Sequence, residues 1–397
     1  MPTRPTSIEA IPNRHFDLDW LRVILIMTLF FHHVGSPFHP WGWLIKNNET
    51  TENFHDLTLW MMFWRMPLLA FISGAGTYLA MGKRSIPEYI RERIKKLFIP
   101  LLFGMFTFIP PQTYYSSKHI YDSYWEFYKT IFDFVFYPEG NFGWLNMWFI
   151  AYVLVFSILA TPLLSFLLSS KSENFRHRME KVFSRPIWLL LIPAALLLAT
   201  QFLLRPYFPN DTFKLLNDWA LFTLYFLFFL FGLFCYSSET IRTSIGKNRK
   251  YLLLAGLMMS LLYGVYRYTR KIYHFPWSDI AEGIQFDVLT IPLIWFTILV
   301  IIAYGQQYLN YPNRLLPKLT EAVYPFFLLL QPLIVIIAYY ICQLDWSITL
   351  KFWSIALLAM LSFAGIYFLI IRPFNVMRFF FGLKLKKREN KLAVINL

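Results

Sequence analysis

Of the 397 residues, 57% are hydrophobic, 20% aromatic and only 15% charged, which excludes an ordinary soluble globular domain. The formal net charge of +14 does not call for nucleic acid, because a membrane protein retains Lys and Arg in its cytoplasmic loops, beside anionic lipid. Two cysteines exclude a disulfide framework, and the absence of CxxC, HExxH or a carboxylate cluster gives no reason to expect a metal.

Apolar runs long enough to cross a bilayer, about 20 helical residues each, recur along the chain. They fall at residues 17–37, 57–82, 97–112, 144–169, 187–204, 217–238, 250–268, 286–306, 319–342 and 350–372. The predicted fold is an all-α polytopic membrane protein of about ten transmembrane helices, a single integral domain over 1–372 with a basic tail over 373–397. The third run is short and stops at Pro110-Pro111, and residues 113–143 suit a loop with an interfacial helix. The N-terminus, the even-numbered loops and the tail carry 26 Lys and Arg against 9 on the other side, which places both termini in the cytoplasm. The first run is too long, and has histidines where small residues belong, for a cleaved signal peptide; it is expected to remain as the first helix. Cys235 and Cys342 fall near opposite faces of the membrane and are not expected to pair.

Ionisable residues inside the runs carry the functional information, since burying one in hydrocarbon costs roughly 2.5–3.5 kcal/mol and demands a cavity or a partner. The first run, DWLRVILIMTLFFHHV, places Arg22 and His33 eleven residues apart, on nearly one face and about 16 Å apart along the axis. His32 points about 80° away from Arg22 and is expected to be structural. Asp19, one turn before Arg22, is placed to orient it. In the second run, FWRMPLLAFISGAG, Arg65 lies beside Pro67, and Ser73, Gly74 and Gly76 form a small-residue patch suited to close helix contact. The following KRSIPEYIRERIKKLFIP groups Arg91, Arg93, Lys95 and Lys96 on the cytoplasmic side. This is either positive-inside charge or a dock for a polyanion. Trp41, Trp43, Trp60, Trp144 and Trp148 lie near the outer interface, as belt anchors or as a stacking surface for a sugar ring. Glu282 and Asp287 flank the outer end of the eighth run as a hydrated rim, and Glu321 suits the helix N-terminus at which it falls.

Taken together, these elements resemble acyltransferase family 3, polytopic enzymes that acylate cell-envelope sugars. An arginine followed after ten residues by histidine matches Arg22 and His33. R-x-P-L-x-x-x-x-S-G matches Arg65, Pro67, Leu68, Ser73 and Gly74. A basic stretch ending in proline matches Arg91, Arg93, Lys95, Lys96 and Pro100. FDLDWLRV, MWFIAYVLVFS, EAVYPFFLLLQPLIVIIAYY and RPFNVMRFFFG extend the likeness over most of the chain, and look closest to the branch called glucan biosynthesis protein C. Where that branch reads YPFYILHQ, this chain has YPFFLLLQ, with Leu330 in the histidine's place.

The resemblance implies an O-acyltransferase of the bacterial cytoplasmic membrane. It moves a succinyl or acetyl group from cytoplasmic acyl-CoA to a hydroxyl of an envelope or periplasmic carbohydrate, with acyl-CoA as co-substrate and no tightly bound cofactor. Arg22, Arg91, Arg93, Lys95 and Lys96 would hold the CoA phosphates, His33 would be general base, and Arg65 and Ser73 would steady the oxyanion or the donor. An acyl-enzyme on His33 or Ser73 is the alternative route. No added esterase-like domain is expected, so the chain would acylate its acceptor itself or through a partner. A transporter or flippase of a glycan or acyl precursor is a second reading, set against the lack of an internal repeat and the concentration of buried charge in the first hundred residues. A structural or sensory role leaves the Arg22–His33 register to chance.

Overall fold

The computed structural model describes residues 14–53, 55–81, 84–272 and 279–386. Among them there is no strand, and nine helices are long and apolar enough to cross a membrane, with a tenth path made by a bent pair. In chain order the spans are α1 (Phe16–Gly35), α2 (His55–Ala80), α3 (Ile86–Ser116), α4 (Leu145–Leu159 with Thr161–Leu168), α5 (Pro186–Leu204), α6 (Trp219–Ser237), α7 (Arg249–Ile272), α8 (Asp279–Tyr308), α9 (Leu316–Ile341) and α10 (Ile348–Ile366). The protein is therefore an all-α polytopic membrane protein. Glu282 lies where side chains are not described.

Local sequence explains where the helices start and bend. A reciprocal cap opens α3: the Ser85 backbone N–H donates to Glu88 Oε2 (2.9 Å) and the Ser85 hydroxyl accepts from the Glu88 N–H (3.5 Å). Inside α3 a π-helical turn, Ile94–Phe98, widens the helix where the basic residues lie. The expected stop at Pro110-Pro111 is not observed. The helix breaks at Phe108 and restarts, with the prolines in the first turn of a fresh segment, Ile109–Ser116, where a missing N–H costs little. The predicted short helix in the following connection is present, at Tyr124–Thr130, capped by Ser123. In α4 the two halves meet at 47° around Ala160, just before Pro162.

The bundle is centred on the crossing of α2 and α6. A Cβ at Gly74 would lie 1.8 Å from the Phe229 carbonyl oxygen, and one at Gly232 would lie 1.9 Å from that of Phe71. The two backbones thus touch through reciprocal glycines, as predicted for the small-residue patch at Gly74. Phe71, Phe228, Phe229 and Trp295 are buried around the crossing, and the Trp295 indole N–H donates to the Leu189 carbonyl (3.0 Å), tying α8 to α5. Buried polar side chains also tie segments together: the Gln201 amide donates to the Ala220 carbonyl (3.0 Å), and the Lys351 ammonium to Asn47 Oδ1 (2.8 Å) and the Cys342 carbonyl (3.2 Å). Leu254, Leu257, Leu261 and Val265 of α7 face outward, an apolar surface that suits lipid.

Because both glycines oppose backbone, no side chain can rotate away to admit a methyl group. Gly74→Ala is expected to cost about 1–3 kcal/mol by overpacking and to lower the thermal midpoint in detergent, with Gly232→Ala behaving alike. Gly264→Ala, which meets only open space, serves as the neutral control.

Candidate active site

Two cavities lie along the bundle, and α1, α2, α4 and α9 contribute to both. The first, about 970 Å³, is lined by His32 and His33 of α1, Arg65 of α2, Trp148 of α4, Asp287 of α8 and Gln331 of α9. Arg65 is only 3% exposed. Its Nη1 donates weakly to the Thr28 carbonyl (3.5 Å), and its Nε has no hydrogen-bond partner. Neither His32 Nδ1 nor His33 Nδ1 has a partner. The two imidazole centroids are 5.3 Å apart, and the His33 ring lies 6.2 Å from that of Trp43.

The second cavity, about 750 Å³, is basic. Arg22, Ser73, Arg93, Lys96, Arg378 and Lys384 line it together with Glu321. Gly76 lies beside Arg22, where a Cβ would stand in ordinary contact, 3.7 Å from Arg22 Nη2. Arg93 lies over the Tyr89 ring (4.8 Å to the centroid), and Lys96 pairs with Glu92 (2.6 Å). Arg22 and Lys384 lining one cavity places both ends of the described chain at the same end of the bundle. Phe327, which is buried, lines both cavities, with the Phe149 ring 6.4 Å away.

Residues 15–372 match acyltransferase family 3, described as an acyltransferase domain. The chain belongs to that family, and it is a membrane acyltransferase. Neither a curated protein nor a solved structure matches it.

In this acyltransferase the sequence-predicted residues divide between the cavities. His33, Arg65 and Trp148 share the histidine cavity; Arg22, Arg93 and Lys96 share the basic one. Ser73 departs from expectation. It lines the basic cavity rather than meeting His33 and Arg65, and its hydroxyl donates to the Leu69 carbonyl one turn back (2.7 Å). The separation of eight residues from Arg65 to Ser73 spans about 12 Å of helix, which carries them to different cavities. Arg91 and Lys95 also depart: four residues apart, they share an exposed face, while Arg93 and Lys96 share the face toward the cavity. Asp19 is primarily the partner of Arg14, at 2.8 and 3.2 Å, and stands 3.7 Å from Arg22. His32 does not turn aside. Both imidazoles line the cavity, and the loop after α1 brings Trp41 near His32 (6.3 Å) and Trp43 near His33.

Sequence reasoning missed the uncharged polar residues. Gln112 Nε2 donates to Asn146 Oδ1 (3.2 Å), and Asn146 Nδ2 to the Phe327 carbonyl (3.5 Å), bracing α9 between Pro325 and Pro332. A search for amides within apolar runs would have found Gln112, Gln201 and Gln331, as the search for ionisable residues found Arg65. Leu330, 1% exposed, lines the histidine cavity at the position of the branch histidine.

The mouth of the histidine cavity is built by residues 205–218. Arg205 pairs with Asp211 (2.6 Å) and Lys214 with Glu139 (2.8 Å); the latter hydrogen bond holds the Glu139 carboxyl below its ordinary pKa. Asp218, fully buried, accepts from the N–H groups of Thr212 (2.6 Å), Phe213 (3.0 Å) and Leu221 (3.3 Å). It thus caps α6 and fixes a loop in which Phe213 and Leu215 take left-handed backbone angles of +56° and +54°. The Phe213 carbonyl in turn accepts from the Trp144 indole (2.8 Å).

Asp218→Ala is expected to cost about 1–2 kcal/mol through the lost cap and to release this loop. Faster proteolytic cleavage within residues 205–218, with cleavage elsewhere unchanged, is the measurement.

Proposed function

We propose that the protein moves an acyl group from a thioester of coenzyme A, held in the basic cavity, to a carbohydrate hydroxyl in the histidine cavity. The single observation that carries this reading is the pair of cavities meeting at Phe327, one lined by cations and the other by unpartnered imidazoles and aromatic rings. The positive-inside asymmetry supports a basic cavity open to the cytoplasm, where acyl-CoA is made. Arg22, Arg93 and Lys96 take the phosphates, and the pantetheine arm runs past Phe327 toward His33.

His33 removes the hydroxyl proton as the oxygen attacks the thioester carbonyl. The new C–O bond forms, the C–S bond breaks, and the proton passes to the departing thiolate, so alcohol and thioester become ester and thiol. Arg65, buried and with no carboxylate partner among the described residues, stabilises the oxyanion of the intermediate. The fixed cation is worth most where water is scarce. Direct transfer is favoured over an acyl-enzyme on Ser73, because Ser73 faces the other cavity and its hydroxyl is engaged with its own helix. Acyl-CoA is consumed as co-substrate, and the chemistry calls on no tightly bound cofactor.

Trp43, Trp144 and Trp148 offer the aromatic faces that sugar rings favour. An envelope or periplasmic glucan as acceptor, succinyl or acetyl as acyl group, and the bacterial cytoplasmic membrane as location rest on the resemblance to the glucan biosynthesis protein C branch. The substitution by Leu330 leaves the acceptor less closely specified than the reaction.

Thiol release and ester formation by the purified protein, with acetyl, succinyl and longer-chain CoA thioesters and a glucan acceptor, test the reading. His33→Ala is expected to lower kcat by about a hundredfold or more, the usual worth of a general base, while His32→Ala loses less than about tenfold. A folded His33→Ala protein as active as the wild type would sink the mechanism. Phe327→Ala, which opens the septum, is expected to raise thiol release relative to ester formation, since water then reaches the thioester. Unchanged coupling would show that the arm takes another route.

A further inference from the structure

The closing motif RPFNVMRFFFGLK, residues 372–384, is not used by the mechanism above, and from sequence alone its charge belongs to a basic tail. The structure folds it back onto the bundle. A helical turn, Asn375–Phe380, follows α10. Phe380 stacks on Phe103 of α3 (4.4 Å between centroids, 19° between planes), and Phe381 is buried beside Phe108 (5.3 Å). Gly382 then turns the chain at a φ of +63°. A Cβ there would come within 2.7 Å of the Lys96 carbonyl, so the turn lies directly against the π-helical segment that carries Lys96.

Beyond this turn the backbone is pinned at several points. Arg378, 6% exposed, sends Nη2 to Glu321 of α9 (2.7 Å) and Nε to the Lys384 carbonyl (2.6 Å). The Asn375 side chain bonds both the N–H (2.8 Å) and the carbonyl (3.2 Å) of Lys386. Lys384 is thereby held at the basic cavity, although its own side chain is exposed.

The charges in that cavity are not equally available. Glu321 offsets Arg378, Glu92 offsets Lys96, and Asp19 stands near Arg22. Arg93 and Lys384 have no carboxylate within salt-bridge distance among the described residues. Five cations against one carboxylate in the lining make an anion site, and its unneutralised charge comes from α3 on one side and the folded C-terminal segment on the other.

We propose that Lys384 is a phosphate ligand of the basic cavity, presented by the segment from Asn375 to Lys386, with Arg378 as the positioning residue that fixes its backbone. The group recognised is a phosphate ester. Two sources carry one: the nucleotide end of the acyl donor, and the headgroup of an anionic phospholipid. The donor assignment rests on the function proposed above. The phosphate site itself does not.

The full-length protein in detergent is titrated calorimetrically with adenosine 3′,5′-bisphosphate and, in a separate arm, with micelles doped with phosphatidylglycerol. Lys384→Ala is expected to weaken nucleotide binding about tenfold, and Lys384→Arg to restore it, as expected for loss and return of one charge-assisted contact. In turnover the same Ala variant raises KM for acyl-CoA with kcat unchanged, and leaves KM for the matching acyl-pantetheine, which has no nucleotide, unaltered. Being exposed, Lys384 can be replaced without endangering the fold. Weakening of phosphatidylglycerol binding instead of nucleotide binding would keep the site and assign it to lipid. Wild-type protein that bound the lipid but not the nucleotide would overturn the donor reading of the cavity and leave the phosphate site standing. A Lys384→Ala variant that weakened binding of neither probe would overturn the proposal, as would wild-type protein that bound neither.

Discussion

The backbone contact between α2 and α6 is the constraint on which the rest depends. Gly74 against Phe229 and Gly232 against Phe71 bring two helices as close as their main chains allow, leaving α2 no freedom to rotate or slide. Arg65 lies nine residues before Gly74, about 13 Å along the axis, and Gly76 lies just beyond it. One fixed helix thus presents a cation to one cavity and Ser73 and Gly76 to the other. A residue larger than glycine at the crossing would move both sites at once, which couples packing in the middle of the bundle to chemistry at its two ends.

Much of this was legible in the sequence, and the failures have physical causes. Span number and type follow from hydropathy, because in lipid every backbone group must be satisfied within its own helix. The two-sided nature of the chain was legible in the separation of Arg22 from His33. Helical register alone misplaced His32, and the motifs grouped Arg65 with Ser73, and Arg91 and Lys95 with Arg93 and Lys96, although these part in the structure, since neither register nor motif says which neighbours stand at a given height. Ser73 illustrates the point: it shares a motif with Arg65, yet a helix rises through the membrane, and motif neighbours eight residues apart meet different partners. Pro110-Pro111 misled for a different reason, a proline pair being as good an opening for a helical segment as a stop. The C-terminal segment was unreadable because its order comes from contacts with α3 and α9, residues far away in the chain.

Buried charge is treated differently in the two halves of the molecule. Lys351 and Arg378 are satisfied by fixed oxygens, and their role is to join segments. Arg65 has one weak backbone acceptor and an unpartnered Nε, an arrangement that costs stability unless a negative charge arrives. In the proposed reaction that charge is the oxyanion, present only while the tetrahedral intermediate exists. The unsatisfied guanidinium is then not a defect of packing but a preorganised donor, its desolvation already met in folding.

Leu330 bears on the same economy. A histidine at this position would place an imidazole on α9, across the cavity from α1. Leu330 gives an apolar wall instead, with Gln331 next to it and Asn146 braced by Gln112. Glu139, Arg205, Asp211, Lys214 and Asp287 also line the cavity, but the first four belong to the loops at its mouth, where all four sit in ion pairs. In the proposed reaction the two imidazoles of α1 carry the proton transfer. Of these His33 lies beside Trp43 and, by helical register, shares the face of Arg22, whereas His32 lies beside Trp41. In the proposed reaction, Leu330 in place of an imidazole concentrates acid–base work on α1, and leaves α9 to shape the acceptor site through amides and through Phe327, the residue that both cavities touch.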